Sequence, residues 1–253
     1  MKNKTSIISS ILWAVFFIGI LEVMFILIEN KDINNFFILS GLLCLTVIIT
    51  SIRTYQPRIG YYHEIAPYLI HPLFLLIGLI SFIIFNDNPY LRQIAIFSSL
   101  VGYLILFSEN YSDLTHKAHD GVKFLIVFFL YDTVFESVHY FNTDLLMIPL
   151  FIGLISLFLF MHMFWRLKVL EDKYLVLGLL FSTLIGTISF LVIQYYLLSS
   201  YLIVSIILLT IYYVFWGILH HYIQKNLTLH TFFEYFLIAG IIISMFLGLI
   251  TGW

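Results

Sequence analysis

Residues 201–221 read Tyr-Leu-Ile-Val-Ser-Ile-Ile-Leu-Leu-Thr-Ile-Tyr-Tyr-Val-Phe-Trp-Gly-Ile-Leu-His-His, without one Asp, Glu, Lys or Arg. A helix needs about 20 mainly apolar residues to cross roughly 30 Å of hydrocarbon, and this run supplies them. Its apolar positions follow one another without the alternation of a barrel strand. Backbone groups left unpaired in lipid are costly, so the expected form is a transmembrane helix.

Eight more apolar runs flank it, at 6–28, 36–52, 68–85, 91–108, 122–140, 145–165, 174–197 and 232–250. Short polar connections punctuate them, among them Glu29-Asn30-Lys31-Asp32, Asn86-Asp87-Asn88-Pro89, Asn142-Thr143-Asp144 and Ser199-Ser200. The expectation is an all-α polytopic bundle of about nine spans forming one domain over residues 1–253, with no separate soluble domain and no internal repeat. Composition agrees. The chain is 62% hydrophobic and 10% charged, against roughly 25% charged residues in a soluble domain. So apolar a chain, with a mean hydropathy of +1.04, has too little polar surface to cover a globule in water, and the lipid bilayer is its expected partner.

The 12 Lys and Arg residues give the orientation. When the gaps between runs are counted alternately inside and outside, Lys2, Lys4, Arg53, Arg58, Lys117, Lys123, Arg166, Lys168, Lys173 and Lys225 fall on one side. Only Lys31 and Arg92 fall on the other. Short loops rich in Lys and Arg stay cytoplasmic, so the N-terminus is expected inside and the C-terminus outside, in the cell membrane. The run at 6–28 exceeds a signal-peptide core and lacks a small-residue cleavage site, so it reads as an uncleaved first span. A net charge of −2, with basic residues spread over several segments, gives no reason to expect nucleic acid. The single cysteine, Cys44, offers neither a disulfide framework nor a Cys-based metal motif.

Ionisable groups inside a bilayer each call for an explanation. The fifth run carries Asp132, Glu136 and His139 at i, i+4 and i+7, one stripe of a helix. Two carboxylates a turn apart in low dielectric do not both ionise easily, so the pair is expected to share a proton or a cation. Glu22 on the first run and Gln194 on the seventh fall at similar depth, and together these residues are the candidate intramembrane polar site. The functional reading is a proton- or cation-linked path, or a polar substrate site open to the outside. The structural alternative is that Asp132 and Glu136 bond to nearby hydroxyls and hold the bundle together.

A second polar set lies on the cytoplasmic side: His63, Glu64, His71, His116, His119, Asp120, His162, His220, His221, His230 and Glu234. If helical, Asp113, His116, His119 and Asp120 share a face and offer zinc-type ligands. Yet no His-Glu-x-x-His spacing occurs, so this is a weak metal candidate and no cofactor is expected. His162 and Trp165 read as interfacial anchors. His71-Pro72 reads as the first turn of the third helix, where proline is tolerated. His220-His221 reads as a helix C-terminus favouring imidazolium. A phosphate-binding glycine loop, a Gly-x-Ser-x-Gly elbow and a late-span lysine for a retinal Schiff base are all missing, and catalytic residues remain unassigned.

Two runs carry small residues at every fourth position: Gly178, Ser182 and Gly186 in the seventh, Gly240, Ser244 and Gly248 in the ninth. That spacing lets another helix approach closely. Internal packing is the expected use, and a homo-oligomer or membrane partner through the ninth helix is the alternative.

Phe128-Phe129-Leu130-Tyr131-Asp132-Thr133-Val134-Phe135, Gly217-Ile218-Leu219-His220-His221-Tyr222, Glu234-Tyr235 and Thr251-Gly252-Trp253 resemble an uncharacterised family of small bacterial multi-pass membrane proteins, a domain of unknown function. The resemblance covers the chain from about residue 100 onward. It implies an all-helical membrane fold and carries no activity. The leading functional expectation is therefore small-solute or ion handling around Asp132 and Glu136. A non-catalytic scaffold comes second, and a membrane metalloenzyme third.

Overall fold

The structure, a computed structural model, describes residues 2–59, 66–106, 113–142, 144–169, 171–196 and 201–251. Among the described residues it is all-helical and without strands, in the order α1 (Lys2–Glu29), α2 (Ile33–Ile59), α3 (Ala66–Phe85), α4 (Pro89–Leu106), α5 (Asp113–Phe141), α6 (Met147–Arg166), α7 (Asp172–Tyr196), α8 (Tyr201–Ile223) and α9 (Leu229–Thr251). Each helix takes in one apolar run of the sequence. α2 and α5 also extend into the polar segments beyond their runs, α2 continuing through Pro57 to Ile59 and α5 beginning at Asp113. Among the described residues six helical stretches are long and apolar enough to cross a membrane: Ile33–Arg53, Pro89–Leu106, Met147–Arg166, Asp172–Gln194, Tyr201–Ile223 and Leu229–Phe246. A shorter apolar stretch covers Leu69–Phe85.

The outward faces match this composition. Phe97 is 68% exposed and Leu237 64%, and Phe37, Ile94, Phe233 and Ile241 are exposed as well. Soluble monomers rarely present apolar surface on this scale. The pattern is consistent with a multi-pass membrane protein whose exposed side chains face lipid.

Helix boundaries follow from local chemistry. Asn88 caps α4 by accepting hydrogen bonds from the backbone N–H groups of Tyr90 (3.0 Å) and Leu91 (3.4 Å), with Pro89 at the first helical position where no N–H is needed. Thr228 caps α9 through the Thr231 N–H at 3.2 Å, and Asp32 caps α2 through the Asn35 N–H at 3.4 Å. α1, α6 and α8 end in Schellman turns with a lysine in the left-handed position: Lys31 (φ 58°), Lys168 (φ 56°) and Lys225 (φ 57°). At the end of α8, Lys225 N–H donates to the Tyr222 carbonyl and Asn226 N–H to that of His221, both at 3.1 Å. Lysine there bears a steric penalty that glycine would escape, but its charge faces the negative end of the helix dipole.

By contacts the chain divides into two compact units, Met1–Phe129 and Leu130–Trp253, with the boundary inside α5. In the first, α1 packs on α2 and α4, α2 on α3, and α3 on α4, closing a four-helix ring. Phe17 stacks on Trp13 (ring centroids 5.0 Å apart) and meets Tyr103 edge-on at 4.5 Å. The Tyr103 hydroxyl donates to the Pro72 carbonyl at 2.7 Å. Pro72 thus lies inside α3, not in its first turn as the sequence suggested, because the helix starts at Ala66.

In the second unit α6, α7, α8 and α9 pack as successive neighbours. The small residues of α7 face α6. A Cβ on Gly186 would stand 2.7 Å from the Pro149 carbonyl oxygen, and one on Gly178 would stand 2.8 Å from the Phe164 ring. Without a hydrophobic driving force between helices in lipid, such backbone approach supplies the dispersion contacts that hold them together. On α9 the picture is different: Gly240 and Ser244 are exposed, and a Cβ on Gly240 would meet nothing within 4 Å.

Candidate functional site

The C-terminal half of α5, in the second unit, carries a series of polar side chains within an apolar helix. Tyr131, Asp132, Thr133, Glu136, Ser137 and His139 follow the run Phe124–Leu130. Tyr131 is buried, its hydroxyl 2.6 Å from the Ser156 hydroxyl of α6. Its ring meets Tyr212 of α8 edge-on, and Tyr212 in turn stacks on Phe160 at 5.1 Å. This neutral cross-link joins α5, α6 and α8.

Asp132, the next residue, is 0% exposed. Ser205 of α8 brings its Oγ within 3.4 Å of Asp132 Oδ1 and within 2.9 Å of the Tyr201 carbonyl oxygen. A serine hydroxyl has one proton and two acceptor sites. With its proton donated to Tyr201, the shorter contact, it is left as an acceptor toward a protonated Asp132; turned around, it donates to the carboxylate. The geometry therefore serves either protonation state. Thr133 Oγ1 is buried and makes no hydrogen bond, an open donor and acceptor on the turn between Asp132 and Glu136.

Glu136 is half-buried one turn on. Tyr201 stacks on Phe135, with ring centroids 6.2 Å apart and 6° between the planes, and its ring lies 5.6 Å from that of His139. His139 itself is exposed. The polar set thus runs along α5 from the buried Asp132 to an exposed imidazole at the helix end, with Ser205 and Tyr201 of α8 beside it. Neither α8 residue was singled out from sequence. The available signal was a serine and a tyrosine one turn apart near the start of an otherwise apolar helix.

The other expected members, Gln194 and Glu22, are described by their own surroundings. Gln194 is exposed near the end of α7, and Ser205 is the side chain found beside Asp132. Glu22 of α1 belongs to the first unit and accepts a hydrogen bond from Gln93 Nε2 of α4 at 3.1 Å. Next to Gln93, Arg92 is buried and holds the α3–α4 turn. Its Nε donates to the Asn86 carbonyl, its guanidinium lies 5.6 Å from the Phe25 ring centroid, and Nη2 is 3.7 Å from Asp87 Oδ1. Nothing in the run around Arg92 marks this arginine as interior.

Among the described residues no group of three His, Cys, Asp or Glu side chains could hold a metal ion. His63 and Glu64 lie outside the described residues. Asp113, His116, His119 and Asp120 do sit on a helical backbone, the first turns of α5, while their side chains lie outside the described part. His71 is buried in α3. His162, read from sequence as an interfacial anchor, is 2% exposed and belongs to the core of α6, whereas its neighbour Trp165 is exposed. His220 stacks on Trp216 at 4.9 Å in the last turn of α8. Comparison of the chain with known protein families, with curated proteins and with solved structures finds no match.

Proposed function

We propose that the chain is an integral protein of the cell membrane, with nine spans and a cytoplasmic N-terminus, that handles a small solute or ion at the polar site on α5. The observation that supports this most is the complete burial of Asp132 with a neutral hydroxyl, that of Ser205, beside it. An ionisable group inside a bilayer costs a few kcal/mol on insertion scales and commonly marks an ion or substrate path. Holding the bundle together does not call for it. One residue earlier, Tyr131 and Ser156 link α5 to α6 with two uncharged hydroxyls. The site needs Asp132 and Glu136; Glu22 is already bonded to Gln93.

The test is flux in vesicles reconstituted with the purified protein. Asp132→Asn preserves shape and hydrogen bonding but removes the titratable charge, and it should abolish proton- or cation-linked flux without unfolding the bundle. Flux equal to that of the unaltered protein would remove the proposal.

A second reading, a scaffold that joins a copy of itself or another membrane protein through α9, is favoured by the open space over Gly240 and the exposed Phe233, Leu237, Ile241 and Met245. It predicts that Gly240→Leu abolishes co-purification or cross-linking while Asp132→Asn leaves both unchanged.

A further inference from the structure

A second site lies at the opposite end of α8, where it meets the start of α9. Tyr213, Gly217 and His221 are four residues apart and form one stripe of α8. The middle position has no side chain, and the ring of Tyr235 from α9 fills that space. A Cβ on residue 217 would collide with two of its ring carbons. Tyr235 is thereby seated between Tyr213, at 5.1 Å and 57°, and His221, at 5.9 Å and 56°. These three rings line a groove of about 800 Å³. At its mouth Glu234 presents a carboxylate, with Oε1 3.3 Å from His230 Nδ1. The remaining wall is apolar and outward-facing, with Phe233, Leu237 and Ile238 all exposed.

We infer that this groove binds an amine-headgroup lipid of the surrounding membrane. Among the described residues its ionisable lining is Glu234, His221 and His230, with no Lys or Arg, so the carboxylate is the one acidic group that an ammonium would meet. Aromatic faces next to a carboxylate are the arrangement that attracts an ammonium group. The polar mouth lies level with the α8–α9 turn, where α8 ends at Ile223 and α9 begins at Leu229, which is headgroup depth for two spanning helices. Leu237 and Ile238 continue from it along α9 toward the middle of the span, and an acyl chain can follow them. A water-soluble amine would leave that wall uncovered. A bare metal ion would find no set of three ligands there.

The experiment is native mass spectrometry of the intact purified protein, titrated with phosphatidylethanolamine or with phosphatidylglycerol of identical acyl chains. The ethanolamine lipid should be retained roughly tenfold better, the size expected of a partly desolvated cation–π contact with a carboxylate nearby. Glu234→Gln, an exposed change that leaves packing intact, should erase most of that preference. Gly217→Ala should erase it by displacing Tyr235; if that variant does not fold, Tyr235→Leu serves in its place. Equal retention of the two lipids, a preference for the anionic lipid, or an ethanolamine preference that survives Glu234→Gln would each overturn the inference.

Discussion

Ser205 Oγ on α8 stands 3.4 Å from Asp132 Oδ1 on α5, and one turn back the Tyr201 carbonyl holds the same hydroxyl at 2.9 Å. The serine is anchored by its own helix and presented to the acid. It can accept from Asp132, or donate to it by rotating its proton away from the Tyr201 carbonyl. Ser205→Ala removes this partner while leaving α8 intact, since serine back-bonding inside a helix contributes little to stability. The expected outcome is a drop in flux of about tenfold, one hydrogen bond to an ionisable group, with thermal stability within about 0.5 kcal/mol of the unaltered protein. Flux unchanged in Ser205→Ala but lost in Asp132→Asn would show that the acid works without this hydroxyl.

The contact between α6 and α7 makes a purely structural prediction. A Cβ on Gly186 would lie 2.7 Å from the Pro149 carbonyl oxygen, a backbone atom that cannot rotate away. Gly186→Leu forces the two helices apart and should cost about 3 kcal/mol, the upper end of ordinary over-packing. Gly240→Leu on α9, where a Cβ meets open space, should leave the isolated chain's stability unchanged. Comparing the two melting temperatures in detergent checks both statements. The reverse order would mean that α9 carries more packing than α7.

Arg92 supplies a third prediction. Its Nε donates to the Asn86 carbonyl while the guanidinium lies over Phe25. A lysine has neither the planar fork nor the Nε–H, so Arg92→Lys should destabilise almost as much as Arg92→Met, by about 2 kcal/mol, the loss of one buried hydrogen bond to a charged group. Full rescue of stability by lysine would reduce the residue's role to its charge.

The lysine-capped helix ends give a fourth. Lys225 holds φ at 57°. Glycine there removes a steric penalty of about 1 kcal/mol while giving up a smaller dipole interaction, so Lys225→Gly should raise stability by a few tenths of a kcal/mol. Lys225→Ala keeps the strain and loses the charge, so it should lower stability. Thermal unfolding of the two variants separates them by the sign of the shift.

The sequence shows its helices clearly and their neighbours hardly at all. A run such as 201–221 spells out an apolar helix by itself, and Asn88-Pro89 or Thr228 announces where the next one starts, because caps and spans are local properties. What a side chain faces is not local. Glu22 was grouped with Asp132 by depth alone, and within its own unit it accepts a hydrogen bond from Gln93, a partner that depth does not announce. His162 looked like an anchor because it lies three residues before Trp165, but it is buried where the tryptophan is exposed. Gly217 gave no clue in its own run. Its meaning depends on the Tyr235 ring that lies against it from another helix.

The most direct measurement is infrared difference spectroscopy of the protein reconstituted into vesicles, with pH stepped on one side of the membrane at a time. The carboxyl band of Asp132 is identified by its disappearance in Asp132→Asn. An acid that serves a path open to one face should lose and regain its proton when that face is titrated, and should do so more slowly or not at all when the other is. A band that ignores pH on both sides would make Asp132 a sealed structural group and contradict the proposed role of α5.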